Sequence, residues 1–197
     1  MDKIEIKKKQ GSIVDALRDA ILSGSIPADT EMTQNELAQS LGVSRMPVRE
    51  ALIILEYQGL IRRLPNNHVR VVPQTREYIA ELFRMCGDLC VPILCKTEHP
   101  EKLPEYDPDF HRAIYQQCHF AFQRKVLESL TEIYITYAAT RLTTKGTENI
   151  REVRQAAALR DEQTVQQGLQ RYYAVLLDEI MTDERNGEIK NAGIKTN

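Results

Sequence analysis

Residues 33–59 constrain the fold more than any other stretch, because start and stop signals for two consecutive helices stand there at the right spacings. Thr33 and Glu36 are three apart, which lets hydroxyl and carboxylate satisfy free amides reciprocally at a helix start. The spacing predicts a helix over 34–40, ended by Gly42. Ser44 caps the next helix, 45–58, with Pro47 in its first turn, where the missing N–H costs nothing, and Gly59 as its stop. Val48, Ala51, Leu52 and Leu55 repeat at helical spacing and make its core face. Upstream, Ile13, Leu17, Ala20 and Ile21 predict a helix over 12–22 closed by Gly24. Downstream, 60–64 and 69–72 read as strands around Pro65, Asn66, Asn67 and His68, a turn-rich tetrad that makes a hairpin.

Three helices followed by a hairpin wing describe a winged helix-turn-helix, bounded by Pro73. The rest is helical in pattern. Ile79, Leu82, Phe83, Cys86 and Leu89 form one stripe, interrupted by Pro92, and 98–108 holds three prolines and reads as a loop. Helices are predicted near 110–118, 123–142, 148–159 and 162–181, with a frayed tail after Asp183. The fold class is therefore mostly α, with a domain over 1–73 and an all-helical domain over 74–197.

A chain of 197 residues, 42% hydrophobic and 27% charged, can bury a core without staples. Lys7, Lys8 and Lys9 are followed by no signal-peptide core, and no apolar run is long enough to span a membrane, so a cytoplasmic protein is expected. Cys86, Cys90, Cys95 and Cys118 lack the dense spacing of a disulfide scaffold. Cys86 and Cys90, four apart on a helix, either offer two metal ligands or place two small apolar groups in a core. The net charge of −2 conceals an uneven distribution, with ten Lys/Arg against nine Asp/Glu in 1–73 and sixteen against nineteen beyond. That difference decides nothing alone, since phosphate contact depends on which face the charges occupy.

The second helix of a helix-turn-helix enters the major groove N-terminus first. Arg45 and Arg49 share one face of that start, where free amides and the positive end of the helix dipole also point. One arginine can fork onto guanine while the other binds phosphate, and Ser44 can reach a backbone oxygen.

Residues 32–60, MTQNELAQSLGVSRMPVREALIILEYQGL, closely resemble the winged helix-turn-helix of the GntR family of regulators, and the resemblance extends over 11–72. It implies that Ser44, Arg45 and Arg49 stand at DNA, that Pro47 and Val48 shape the helix, and that Arg18 touches phosphate. Met46 stands on the DNA face where threonine is common, and Asn67 and His68 stand in the wing where glycine is usual. His68 either touches the minor groove or is solvent-exposed.

The second domain resembles the FCD effector domain of the family's FadR-like branch. Arg84 and Asp88 match an arginine-acid pair on its first helix, and Asp107 and His111 match a segment whose aspartate and histidine ligate a divalent metal. The resemblance calls for two further histidines, near 149–150 and 172–173, where none stands. His111 then either holds a metal with Asp107 or hydrogen-bonds inside a core. Arg84 either receives an acidic effector bidentately or pairs with Asp88 one turn away. The stretch between Cys95 and Asp107 is also a helix short.

These readings imply a homodimer on a palindromic operator of double-stranded DNA, about one helical turn between half-sites, modulated by a small carboxylate and acting as a repressor. The alternative is a constitutive DNA-binding dimer whose second domain only dimerises. A helical enzyme built on Asp107, Asp109 and His111 is the reading from another class, and nothing pairs a nucleophile with that cluster.

Overall fold

The computed structural model of the chain describes residues 13–141 and 145–194, the side chains of 145–147 and 183–194 aside. Lys7, Lys8, Lys9 and residue 142 lie outside the described residues. Contacts divide the described chain into a unit that ends at Gln74 and takes in the stretch from Asp183, and a unit Thr75–Thr182.

In the first unit, α1 (Ile13–Leu22), α2 (Gln34–Leu41) and α3 (Arg45–Tyr57) surround a core of Leu17, Ile21, Leu37, Val48, Leu52 and Leu55. The capping box on α2 is complete. Thr33 Oγ1 accepts from the Glu36 amide at 3.1 Å and Glu36 accepts from the Thr33 amide at 2.7 Å. Gly42 follows at φ 66, the left-handed region that a side chain would strain.

The sheet has one strand more than the sequence announced. Strand β1 (Glu31–Met32) joins β2 (Ile61–Arg63) and β3 (Val69–Val71) in the order β1-β3-β2, all antiparallel. Met32, Ile61, Val69 and Val71 are buried, which fixes the register, since a one-residue slip would expose them all. Arg62 stands opposite Arg70, and Arg70 turns away to bond Glu31 across the other strand pair. At the hairpin tip Asn67 holds φ 62, so asparagine supplies the left-handed residue that glycine usually would. The His68 amide donates to Asn66 Oδ1 at 3.1 Å and completes the turn.

The second unit is helical throughout. It comprises α4 (Arg76–Lys96), a 3-10 turn (Pro100–Lys102), α5 (Asp109–Gln116), α6 (Ala121–Leu130), α7 (Thr136–Ala139), α8 (Lys145–Ala158) and α9 (Glu162–Ile194), the last carried beyond the unit's end. Three differences from the sequence reading have physical reasons. Helix α4 runs unbroken through Pro92: the ring removes one donor, while Val91, Leu94 and Cys95 stay buried around it and hold the helix together. Helices α6 and α7 join through a π-helical segment, Thr131–Ile135, where Thr131 Oγ1 donates back to the Leu127 carbonyl at 2.7 Å. Helix α9 continues to Ile194 where a frayed tail was expected, since no proline stops it. Gly168 on α9 permits close packing: a Cβ there would meet Val153 Cγ2 on α8 at 3.0 Å.

Candidate functional site

The start of α3 is left open chemically. Ser44 occupies the N-cap position, φ −73 and ψ 165, yet its side chain makes no cap hydrogen bond. Pro47 has no amide to offer, so free donors collect at Arg45 and Met46. Ser44, Arg45, Met46 and Arg49 are all exposed, Met46 by 69%, and neither arginine has a partner among the described residues. Two unpaired guanidinium groups thus share a helix face with an uncapped amide terminus, an arrangement suited to anions. Val48, Ala51, Leu52 and Leu55 on the opposite face are buried, and they set which residues point outward.

Arg18 is differently placed. Its side chain is 14% exposed and bonds Asp15 at 2.9 Å and Gln58 at 3.5 Å, with Nε buried and without a partner. His68 is partly exposed, with Nδ1 3.9 Å from Glu31. The hydrogen bond from Arg70 holds the Glu31 carboxyl below its usual range. The sequence reading missed Arg62 and Arg63 beside the wing. Arg63 bonds Glu56 at 2.7 Å, whereas Arg62 is exposed and unpaired among the described residues. Their signal was a basic doublet directly before the hairpin turn.

In the second unit Asp107 and His111 do meet, with His111 Nδ1 2.5 Å from Asp107 Oδ1 and both side chains buried. The other nitrogen, Nε2, is taken up by the Tyr173 hydroxyl at 3.0 Å, and that hydroxyl reaches Cys86 Sγ at 3.3 Å and Cys90 Sγ at 3.9 Å. Burial opposes a charged imidazole, but the charge and hydrogen bond of Asp107 outweigh it and raise the His111 pKa. The hydrogen bond with Cys90 draws the Cys86 thiol down to about 7 against the cost of burial, while that bond and burial push Cys90 well above the usual value. His111 thus stands between the Asp107 carboxylate at Nδ1 and the Tyr173 oxygen at Nε2, with the two thiols beyond that oxygen.

These residues do not fit a divalent metal as they stand. The nitrogen an ion would need is hydrogen-bonded to a phenol, and no group of three or more His, Cys, Asp or Glu among the described residues could hold one. Nor do the three residues of the enzyme reading converge, since Asp109 is 68% exposed and pairs with Arg112 at 3.1 Å. Arg84 donates to Asp88 at 2.7 Å and to Glu81 at 2.5 and 3.0 Å, so both neighbouring carboxylates already occupy its fork.

Residues 9–71, just under a third of the chain, match the family described as bacterial regulatory proteins, gntR family. An HTH-type transcriptional regulator from an unstable DNA locus of Streptomyces ambofaciens is 45% identical over 75 residues, 37% of this chain and 32% of that protein. The gluconate operon transcriptional repressor of Bacillus subtilis (strain 168) is 42% identical over 67 residues, 34% of this chain and 27% of its own length. The chain thus spans about a third or less of these two relatives. Over most of its length it shares a fold with two solved structures. Lar, described as controlling the expression of the Listeria monocytogenes agr system, aligns with TM-score 0.55 at 14% identity, over 88% of this chain and 99% of that one. A transcriptional regulator of Rhodococcus sp. RHA1 described as GntR aligns with TM-score 0.53 at 21% identity, over 86% and 96%. The fold is a winged helix-turn-helix, over the residues that match the gntR family, followed by a helical domain. No described helix is long and apolar enough to cross a membrane.

Proposed function

We propose that this chain, whose residues 9–71 belong to the gntR family, is a DNA-binding transcriptional regulator. Helix α3 enters the major groove with Arg45 and Arg49 on guanine and phosphate, Ser44 on a backbone oxygen and Met46 on a base edge. His68 and Arg62 approach the adjacent minor groove from the wing, and Arg18 steadies α1 near the backbone. The protein acts as a homodimer on a palindromic operator, joined through the helical domain, and represses until a small-molecule effector changes the spacing of its two DNA-binding heads.

The observation that carries this reading is the open start of α3, where an exposed N-cap without its cap bond adjoins two unpaired arginines. Fluorescence anisotropy on DNA from the protein's own promoter tests it. The wild-type chain binds with an affinity that falls steeply with salt, and Arg45→Ala/Arg49→Ala loses specific binding; full-strength binding by the double variant overturns it.

A second reading, in which the helical domain dimerises and takes no effector, is favoured by the filled centre of that domain. There the Tyr173 hydroxyl already satisfies His111.

A further inference from the structure

Helices α4 and α9 line a cleft of about 170 Å³ on the helical unit. Its walls are apolar. Phe83 and Tyr173 both line it and stack on each other with centroids 5.1 Å apart and planes within 11°. Leu169 and Leu177, both buried, line it from α9. An apolar cavity of about 150 Å³ holds one benzene ring, so the volume fits a single aromatic ring with a small substituent.

The rim decides the charge of the occupant. Arg84 stands there, but its Nε and both terminal nitrogens are engaged by Glu81 and Asp88, and Gln166 Nε2 donates to Asp88 as well at 3.2 Å. The two carboxylates against one guanidinium leave a local excess of negative charge. An incoming carboxylate would have to displace one of them and lose as much as it gained. Gln170 is the remaining polar group of the rim, with no partner among the described residues, and its amide can both donate and accept.

We propose that the cleft lined by Phe83, Gly87 and Tyr173 binds a small uncharged aromatic molecule carrying one hydrogen-bonding group, of the phenol or indole type, in place of the organic acid expected at Arg84. The inference rests on the effector part of the proposed function and names its ligand class. Tyr173 supplies the link to the protein interior, because its ring lines the cleft while its hydroxyl joins His111 to Cys86. A ring seated against it bears on the one side chain common to the surface cleft and the buried cluster.

The test uses the full chain, with phenol and indole as probes and benzoate as the charged counterpart of phenol. Ligand-detected NMR and thermal denaturation report binding, and size-exclusion chromatography reports assembly. Two variants fill the cleft. A Cβ at Gly87 would lie 3.6 Å from Gln166 Nε2 and 3.6 Å from Tyr173 Cε2, so Gly87→Leu places its outer carbons in the cleft. Ala174→Phe blocks it from an exposed position on α9, and serves if Gly87→Leu fails to fold.

Phenol and indole are expected to raise the melting temperature of the wild-type chain, to bind at least tenfold more tightly than benzoate, and to lose at least tenfold in affinity in either folded variant. Absence of probe binding to the wild type, benzoate binding as tightly as phenol, undiminished binding in both variants, or a changed assembly state in Gly87→Leu overturns the proposal, the last because the cleft would then belong to a contact between copies. Operator binding, measured with and without probe, separates the two readings. Probe binding that leaves operator affinity unchanged upholds the cleft and removes its role as effector site, and intact operator binding without any probe binding removes the cleft alone.

Discussion

The Tyr173 hydroxyl lies 3.0 Å from Nε2 of His111, sixty-two positions away in sequence, and closes the side of the ring that Asp107 leaves open. The adjacent Tyr172 is just as buried, yet its hydroxyl has no hydrogen-bond partner. Two neighbouring tyrosines therefore answer the same substitution in opposite ways. Tyr173→Phe strands His111 Nε2 and is expected to cost about 1–3 kcal/mol, whereas Tyr172→Phe removes an unsatisfied group and is neutral or stabilising. Urea denaturation of both variants checks this, and equal losses would show that ring packing alone matters.

The same contact governs the response to metal. Zinc and nickel are expected to leave the melting temperature of the wild-type chain unmoved, because His111 Nε2 is occupied. Tyr173→His exchanges the phenol for an imidazole beside Asp107 and His111, a donor set of the kind such ions accept, and its melting temperature should rise with either ion. A wild-type shift as large as the variant's would contradict this account of the cluster.

The His111–Asp107 pair also sets a pH dependence. Burial lowers the His111 pKa and Asp107 raises it by more, so the folded value exceeds the unfolded value of about 6.5. A raised folded value means stability that is fully present below the unfolded pKa and lost as pH rises through the folded one. Asp107→Asn should lower the His111 value, read by NMR titration of the imidazole, and flatten the decline in stability above pH 6.5. Tyr173 faces the same ring, with Cys86 and Cys90 on its hydroxyl, and all three side chains are kept in that variant.

Two caps of the first unit separate stability from the proposed recognition. Thr33 makes its cap bond and Ser44 makes none. Thr33→Ala is expected to cost about 1 kcal/mol in stability. Ser44→Ala should stay within about 0.5 kcal/mol of wild type while weakening operator binding. Denaturation curves set beside anisotropy titrations read both, and a large stability loss in Ser44→Ala would mean that its hydroxyl serves the helix after all.

For the arginines of α3, each single alanine variant has its own signature. The one on a base should lose about 1–3 kcal/mol and tolerate changes at one operator position, and the one on phosphate should reduce the salt slope by about 1. Titrations at several salt concentrations on matched and mismatched duplexes tell them apart.

What the sequence made legible was local. The capping box, Gly42 and the stripe of Val48, Ala51, Leu52 and Leu55 each act within a few residues, and they located α2 and α3. Arg84 and Asp88, one turn apart on α4, met as that spacing requires, whereas Asp107 met His111 from just before the N-cap of α5. Strand β1 escaped because two residues carry no period, and it exists only through its partner β3, thirty-seven or more positions on. Pro92 was read as an interruption because a propensity is a local property, whereas the burial that keeps α4 whole comes from other helices. The meeting of Tyr173 with His111, Cys86 and Cys90 draws on three helices, so no spacing in the chain could announce it.

An uncapped helix start is also a kinetic statement. With no oxygen from Ser44 on them, the amides of Arg45 and Met46 are expected to exchange with solvent deuterium faster than those held by the Thr33 box on α2. When phosphate oxygens occupy this helix start, as the proposed function requires, protection should spread to the two α3 amides first.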